Sequence, residues 1–265
     1  MFEYLFVIKL AVAISVVLGL SIVTERISPK LAGILAGIPT GSAITLFFIG
    51  LENGTDFASQ AALYNMIGII AMQALLFAYY KASITFKGNS LVLSSILSVT
   101  GYLIVIYLLQ FLPKDIPLAV LLPLASIFLF TYLFRKIENT KITERIKLSP
   151  AVVLARAIAA AAIILAVTEV AGLVGPKWAG LLTAFPTTTF PLLLIVHYTY
   201  DVKHVHTIIK NFPVGLASLI AYSLTISLAF PLFGVFYGTL AAFLSALIIC
   251  VFIYFIQPGK NKLFE

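Results

Sequence analysis

The sequence predicts an all-α, polytopic integral membrane protein of about nine transmembrane helices, arranged as two inverted-topology repeats. Three observations lead there: the composition, the spacing of apolar segments, and one motif that occurs twice. Of 265 residues, 62% are hydrophobic and only 10% are charged, and the mean hydropathy is +1.11. A soluble domain needs far more charge to cover its surface. The formal net charge of +7 would suggest nucleic acid in a soluble chain. Here Lys and Arg fall between apolar runs and read as topology signals, so no nucleic-acid partner is expected. The lipid bilayer is the expected partner, and a homo-oligomer within it is compatible with the sequence.

A spanning helix needs about 20 mostly apolar residues. The segments 3–24, 31–50, 58–80, 90–111, 117–134, 150–172, 178–199, 206–229 and 232–256 fit. The span at 117–134 is the shortest, and "LPKDIP" separates it from its neighbour. A hairpin over 90–134 that fails to cross is the alternative count. The loop "RKIENTKITERIK" concentrates basic residues, which places 135–149 in the cytoplasm. Alternating outward from it puts thirteen of the 17 Lys and Arg on the cytoplasmic side. Lys114, Lys177 and the acidic loop "LENGTD" fall on the other face, while Lys9 and Arg156 lie within spans. The expected location is therefore the cell membrane, with the N-terminus outside and the C-terminus cytoplasmic. "MFEYLFVIKL" lacks a basic n-region and runs into a span too long for an h-region, so no cleavable signal peptide is expected. Cys250 stands alone in an apolar run, which predicts neither a disulfide framework nor a Cys-based metal site.

The repeat organises the chain. Residues 28–40, "SPKLAGILAGIPT", align without gaps on 175–187, "GPKWAGLLTAFPT", with seven of thirteen positions identical. Apolar bias gives chance similarity between spans, but not shared Pro, Lys and Gly at one spacing. In the same register Lys9 falls opposite Arg156, and Thr24-Glu25 matches Thr168-Glu169 after a short insertion. Asn65 and Asn211 nearly match. The expected units are 1–134, with five spans including one extra, and 150–265, with four. An odd number of spans between the two motifs inverts the second unit, as in many secondary transporters.

The second unit, "GPKWAGLLTAFPTTTFPLLLIVHYTYDVKHVHTIIKNFPVGLASLIAYSLTIS", resembles the small four-helix inner-membrane proteins of the GlpM type. The matching residues are Ala179, Gly180, Leu181, Phe185, Pro186, Thr187, His197 and Tyr198. In the first half the resemblance rests on "AGILAGIPT" alone, without the His-Tyr. It implies two such units fused, and a loose association with exopolysaccharide production.

Each motif carries a Pro about 12 Å into its span, near the middle of a hydrocarbon core of about 30 Å. Proline lacks an N–H and displaces the carbonyl four residues back, here Leu35 for Pro39 and Leu182 for Pro186, while Pro191 displaces Thr187. Such backbone is tolerated in lipid where protein or a watery cavity supplies partners. The expected substrate-binding set is Pro39, Thr40, Gly41, Ser42, Pro186, Thr187, Thr188 and Thr189. Half-helix N-termini there would favour an anionic or polar ligand. The bland alternative is ordinary Pro and Gly kinks whose hydroxyls re-satisfy the backbone.

Residues expected to couple or gate are Lys9, Glu25, Lys30, Asn65, Arg156, Glu169, Lys177, His197 and Asn211. For the cations, snorkelling to the headgroups competes with a cavity-facing role, with Lys9 and Arg156 pairing Glu25 or Glu169. Asn65, Gln73 and Asn211 suit interhelical hydrogen bonds. His204 and His206 point apart on a helix and fit a polar cytoplasmic loop better than a metal site. No H-E-x-x-H, paired intramembrane Asp or G-x-S-x-G is present, so neither an enzyme nor a metal or other cofactor is expected. The function predicted is a transporter for a small polar, preferentially anionic, solute. The alternatives are a non-transporting component of an envelope polysaccharide or lipid pathway, and a channel.

Overall fold

The computed structural model describes residues 7–16, 39–86, 88, 90–113, 115–140 and 149–256, the side chains of Val152, Arg156 and 254–256 excepted. Every element among them is helical. In chain order they are α1 (Val7–Val16), α2 (Thr40–Asn53), α3 (Thr55–Thr85), α4 (Ser90–Leu109), α5 (Ile116–Phe134), α6 (Pro150–Thr183), α7 (Thr189–Thr199) and α8 (Val202–Ile256). Five of them, α3, α4, α5, α6 and α8, are long and apolar enough to cross a membrane. The Lys-Asp pair at "LPKDIP" separates α4 from α5 as two full-length apolar helices. Asp115 caps α5 by accepting the Leu118 N–H at 2.9 Å, and Pro117 sits in the first turn where no N–H is needed.

Two long helices contain a sharp break. Gly175 (φ 78°, ψ 167°) interrupts α6 and Gly234 (φ 73°, ψ 177°) interrupts α8. Positive φ is accessible to glycine because no Cβ meets the carbonyl. Pro176 follows the first break, where a new helical segment starts and its missing N–H is harmless. "LENGTD" is no loop, contrary to expectation. Gly54, at φ 90°, joins α2 to α3 alone, so Glu52 and Asn53 end one helix and Thr55 and Asp56 begin the next.

The helix α3 forms the axis and packs against α2, α4, α5, α6 and α8. A helix apolar on all sides is stable when surrounded, and α3 buries residues all round, from Ala58 to Ser83. By contrast α4 and α5 bury one narrow stripe each and turn Val92, Ile96, Leu108, Leu121, Phe128 and Leu129 outward. An apolar outside over a closely packed inside is what lipid as solvent favours. The buried stripe of α4 is Ser94, Ser98, Tyr102 and Ile106, with small residues that let helices approach.

Gly180, the glycine of the repeated "AG", sets the closest approach. A Cβ there would collide with the Ala61 carbonyl oxygen and crowd Tyr64 Cβ. The Gly180→Ala variant should therefore lose about 1–3 kcal/mol, as overpacked cores do. In Gly101→Ala the new methyl meets only Ala78 Cβ at 3.5 Å and should be neutral. Thermal unfolding of both detergent-purified variants checks this.

Candidate functional site

The second motif folds as a broken helix. Its first part ends at Thr183, residues 184–188 leave the helix, and α7 restarts at Thr189. Pro186 removes the N–H that Leu182 would have received, and the carbonyls around it must be paired elsewhere. Leu182 accepts the Phe185 N–H at 3.0 Å, one residue short of the α register. The Tyr102 hydroxyl donates to the Leu181 carbonyl at 2.5 Å. The Ser42 hydroxyl donates to the Thr183 carbonyl at 3.1 Å, with Asn65 Oδ1 as a longer alternative at 3.4 Å. The expected release of the Leu182 carbonyl thus spreads over three carbonyls, two of them served by side chains of other helices.

The two motifs meet. Thr40 and Thr188 hydroxyls lie 3.2 Å apart, and a Cβ on Gly41 would overlap Thr187 Oγ1. Gly41 is the residue that lets the two chains cross at this distance. Pro39, Thr40, Gly41, Ser42, Pro186, Thr187, Thr188 and Thr189 together line one cavity, with Met72, Phe185, Leu216 and Leu219. Its volume open to water centres is about 20 Å³, room for about one water. Both α2 and α7 start here, and neither N-cap residue, Pro39 or Thr188, caps its helix with a side chain. Thr187 Oγ1 is buried and has no hydrogen-bond partner among the described residues.

Asn65 supports the cavity from behind, donating to Ser223 Oγ at 2.8 Å. It is fully buried, as is Gln73, which donates to Ser126 at 2.6 Å. These are the interhelical bonds expected of them. Asn211 instead bonds the Thr207 carbonyl of its own helix at 2.7 Å and Asn139 at 3.2 Å.

Of the expected basic residues that are described, Lys9 and Lys177 do not line the cavity. Lys9 is wholly buried and lies 2.5 Å from Glu52 and 3.0 Å from Glu169, with Thr168 Oγ1 at 3.1 Å. The pairing with Glu169 was expected, that with Glu52 was not. Lys177 donates to the Gln110 carbonyl at 3.0 Å and sits over the Tyr64 ring. Glu25 and Lys30 lie outside the described residues, as does the side chain of Arg156.

At the opposite end, His197 is held by Tyr79 (Nδ1 to hydroxyl, 2.8 Å) and Ser90 (Nε2 to hydroxyl, 3.0 Å). It borders a wide pocket of about 370 Å³ with Ser90, Tyr198 and Tyr200. The segment expected as a polar loop at His204 and His206 is helical. His206 turns inward to Ser83 at 2.8 Å and packs on the Tyr80 ring, because α8 begins at Val202 rather than later.

Three of the partners that sequence reasoning missed lie at the break or at Lys9 and Asn65. Glu52 was hidden by the acidic run read as a loop. Ser223 carries no local signal. Tyr102 had one: with Ser94 and Ser98 it makes a stripe at four-residue spacing in an apolar span, the mark of a buried face. Compared with protein-family models, curated proteins and solved structures, the chain finds no match.

Two outcomes follow from this geometry. Tyr102→Phe and Ser42→Ala each leave a buried carbonyl unpaired, so each should lower stability by about 1–3 kcal/mol, read as a lower unfolding temperature of the purified protein. Lys9→Met strands Glu52, only 17% exposed, and should lose about 3 kcal/mol, the lower end for breaking a buried pair. The Lys9→Met/Glu52→Gln double variant should recover part of that loss in the same measurement.

Proposed function

We propose that this chain is an integral membrane transporter, without enzymatic activity, for a small polar and preferentially anionic solute. The site is the cavity where the two motifs meet. The observation that carries this reading is the convergence of two motifs 147 residues apart in the sequence on one buried cavity, with two helix N-termini and the unpaired Thr187 hydroxyl. Helix packing alone gives two motifs so far apart in the chain no reason to meet at one cavity.

A nine-span topology with the second unit inverted is part of the proposal. Long-range contacts support it, since each joins residues that the topology assigns to one face: Lys9 with Glu52 and Glu169, Lys177 with Gln110, and Asn211 with Asn139. The likeness to GlpM-type proteins supports two fused units. In this scheme Lys9 ties the outer ends of the units together while the cavity stays closed. Access then alternates as one unit rocks against the other.

The test is cysteine accessibility on a Cys250→Ser background in proteoliposomes. Thr40→Cys and Thr187→Cys should react with a membrane-impermeant maleimide from either side, with no ionic conductance. Reaction from both sides together with conductance would instead mark a channel. No reaction from either side would mark a protein that does not transport.

A further inference from the structure

The cavity also carries a statement about the charge of its ligand. We infer that the site binds a single small monovalent anion of halide size, and discriminates against doubly charged oxyanions. This rests on the transport reading above and names its substrate class.

Among the described residues, no charged side chain lines the cavity. Lys9, the one wholly buried cation among the described residues, is engaged by two carboxylates, and Lys177 is engaged by a carbonyl. Among the described residues, a ligand there is balanced by dipoles alone. Each helix N-terminus amounts to about +0.5 of an elementary charge, so α2 and α7 together supply about +1. That matches one negative charge. The penalty for burying an ion grows with the square of its charge, so a dianion with the same +1 opposite it stays in water.

Two further features fit an anion rather than a cation or a neutral solute. The carbonyls of Leu181 and Thr183, beside the break, are occupied by Tyr102 and Ser42. Among the described residues, no carboxylate lines the cavity to hold a cation. Thr187 Oγ1, 2% exposed and without a partner, is a donor waiting at the wall. The volume of about 20 Å³ suits a dehydrated monatomic ion, which is little larger than the water that would otherwise fill it.

The experiment is equilibrium binding of radiolabelled chloride to the full-length, detergent-purified chain by scintillation proximity, in gluconate buffer. Saturable binding should appear, displaced by bromide and not by sulfate or phosphate at equal ionic strength. Thr187→Val removes one hydrogen bond to a charge and should weaken binding about tenfold to hundredfold. Thr187→Ser, which keeps the hydroxyl, should bind as the parent does. Thr225→Val, whose hydroxyl is used by Ala221 and Ser245, should also bind normally. Displacement by sulfate or phosphate as effective as by bromide overturns the inference, as does a Thr187→Val variant that folds and binds unchanged. If chloride does not bind but Thr40→Cys and Thr187→Cys show alternating access, the ligand class is wrong and the transport reading stands. If both fail, so does the transport reading.

Discussion

The rest of the structure depends on the unpaired backbone at Pro186. A proline in the middle of an apolar helix strips one N–H from the ladder, and lipid offers nothing in exchange. The fold answers from outside the helix. Tyr102 on α4 and Ser42 on α2 supply the missing donors, and Leu182 tightens its turn to Phe185. The two side-chain donors each pin a different helix to the break. The demand for hydrogen bonds therefore sets which helices surround residues 184–188 and how closely they come. Gly41, Gly68 and Gly180 follow as consequences, since a Cβ on any of them would run into Thr187, Ala184 or the Ala61 carbonyl respectively.

Charge is distributed by the same logic of solvation. Full charges sit toward the helix ends, where Lys9 meets Glu52 and Glu169, and where Glu169 stays 60% exposed. Among the described residues, the cavity is lined by no charged side chain. Burying an ion pair is favourable only with good geometry and extra hydrogen bonds, and Lys9 has both through Thr168. A cavity surrounded by fixed dipoles needs no such compensation before its ligand arrives. Among the described residues, the ionic contacts thus lie away from the cavity, whose lining is polar but uncharged.

Much of the fold was legible because lipid imposes a coarse and severe pattern. Long apolar segments had to become helices, and α3, α4 and α5 did so close to the expected limits. The break at Pro186 was legible from the chemistry of proline. Less legible were events that depend on a single torsion. "LENGTD" reads as a loop by composition, yet one glycine at φ 90° completes the turn between α2 and α3. Likewise the segment at His204 reads as a polar connection, but Asp201 accepts the Lys203 N–H at 2.8 Å and starts the helix there. Capping by one side chain outweighed the local polarity.

By itself the sequence determined that the chain is helical and apolar enough for a bilayer, and that "PKLAGILAGIPTGS" and "PKWAGLLTAFPTTT" share one pattern. It also determined where the second pattern breaks, because the absence of an N–H in proline is a property of the residue and not of its surroundings. Only the tertiary structure decided that Pro39 to Ser42 and Pro186 to Thr189 line the same cavity. It also decided that Lys9 is neutralised by Glu52, that Tyr102 completes the break, and that no described cation reaches the centre. Those are distances between residues far apart in the chain, fixed by packing and by the pairing of buried polar atoms.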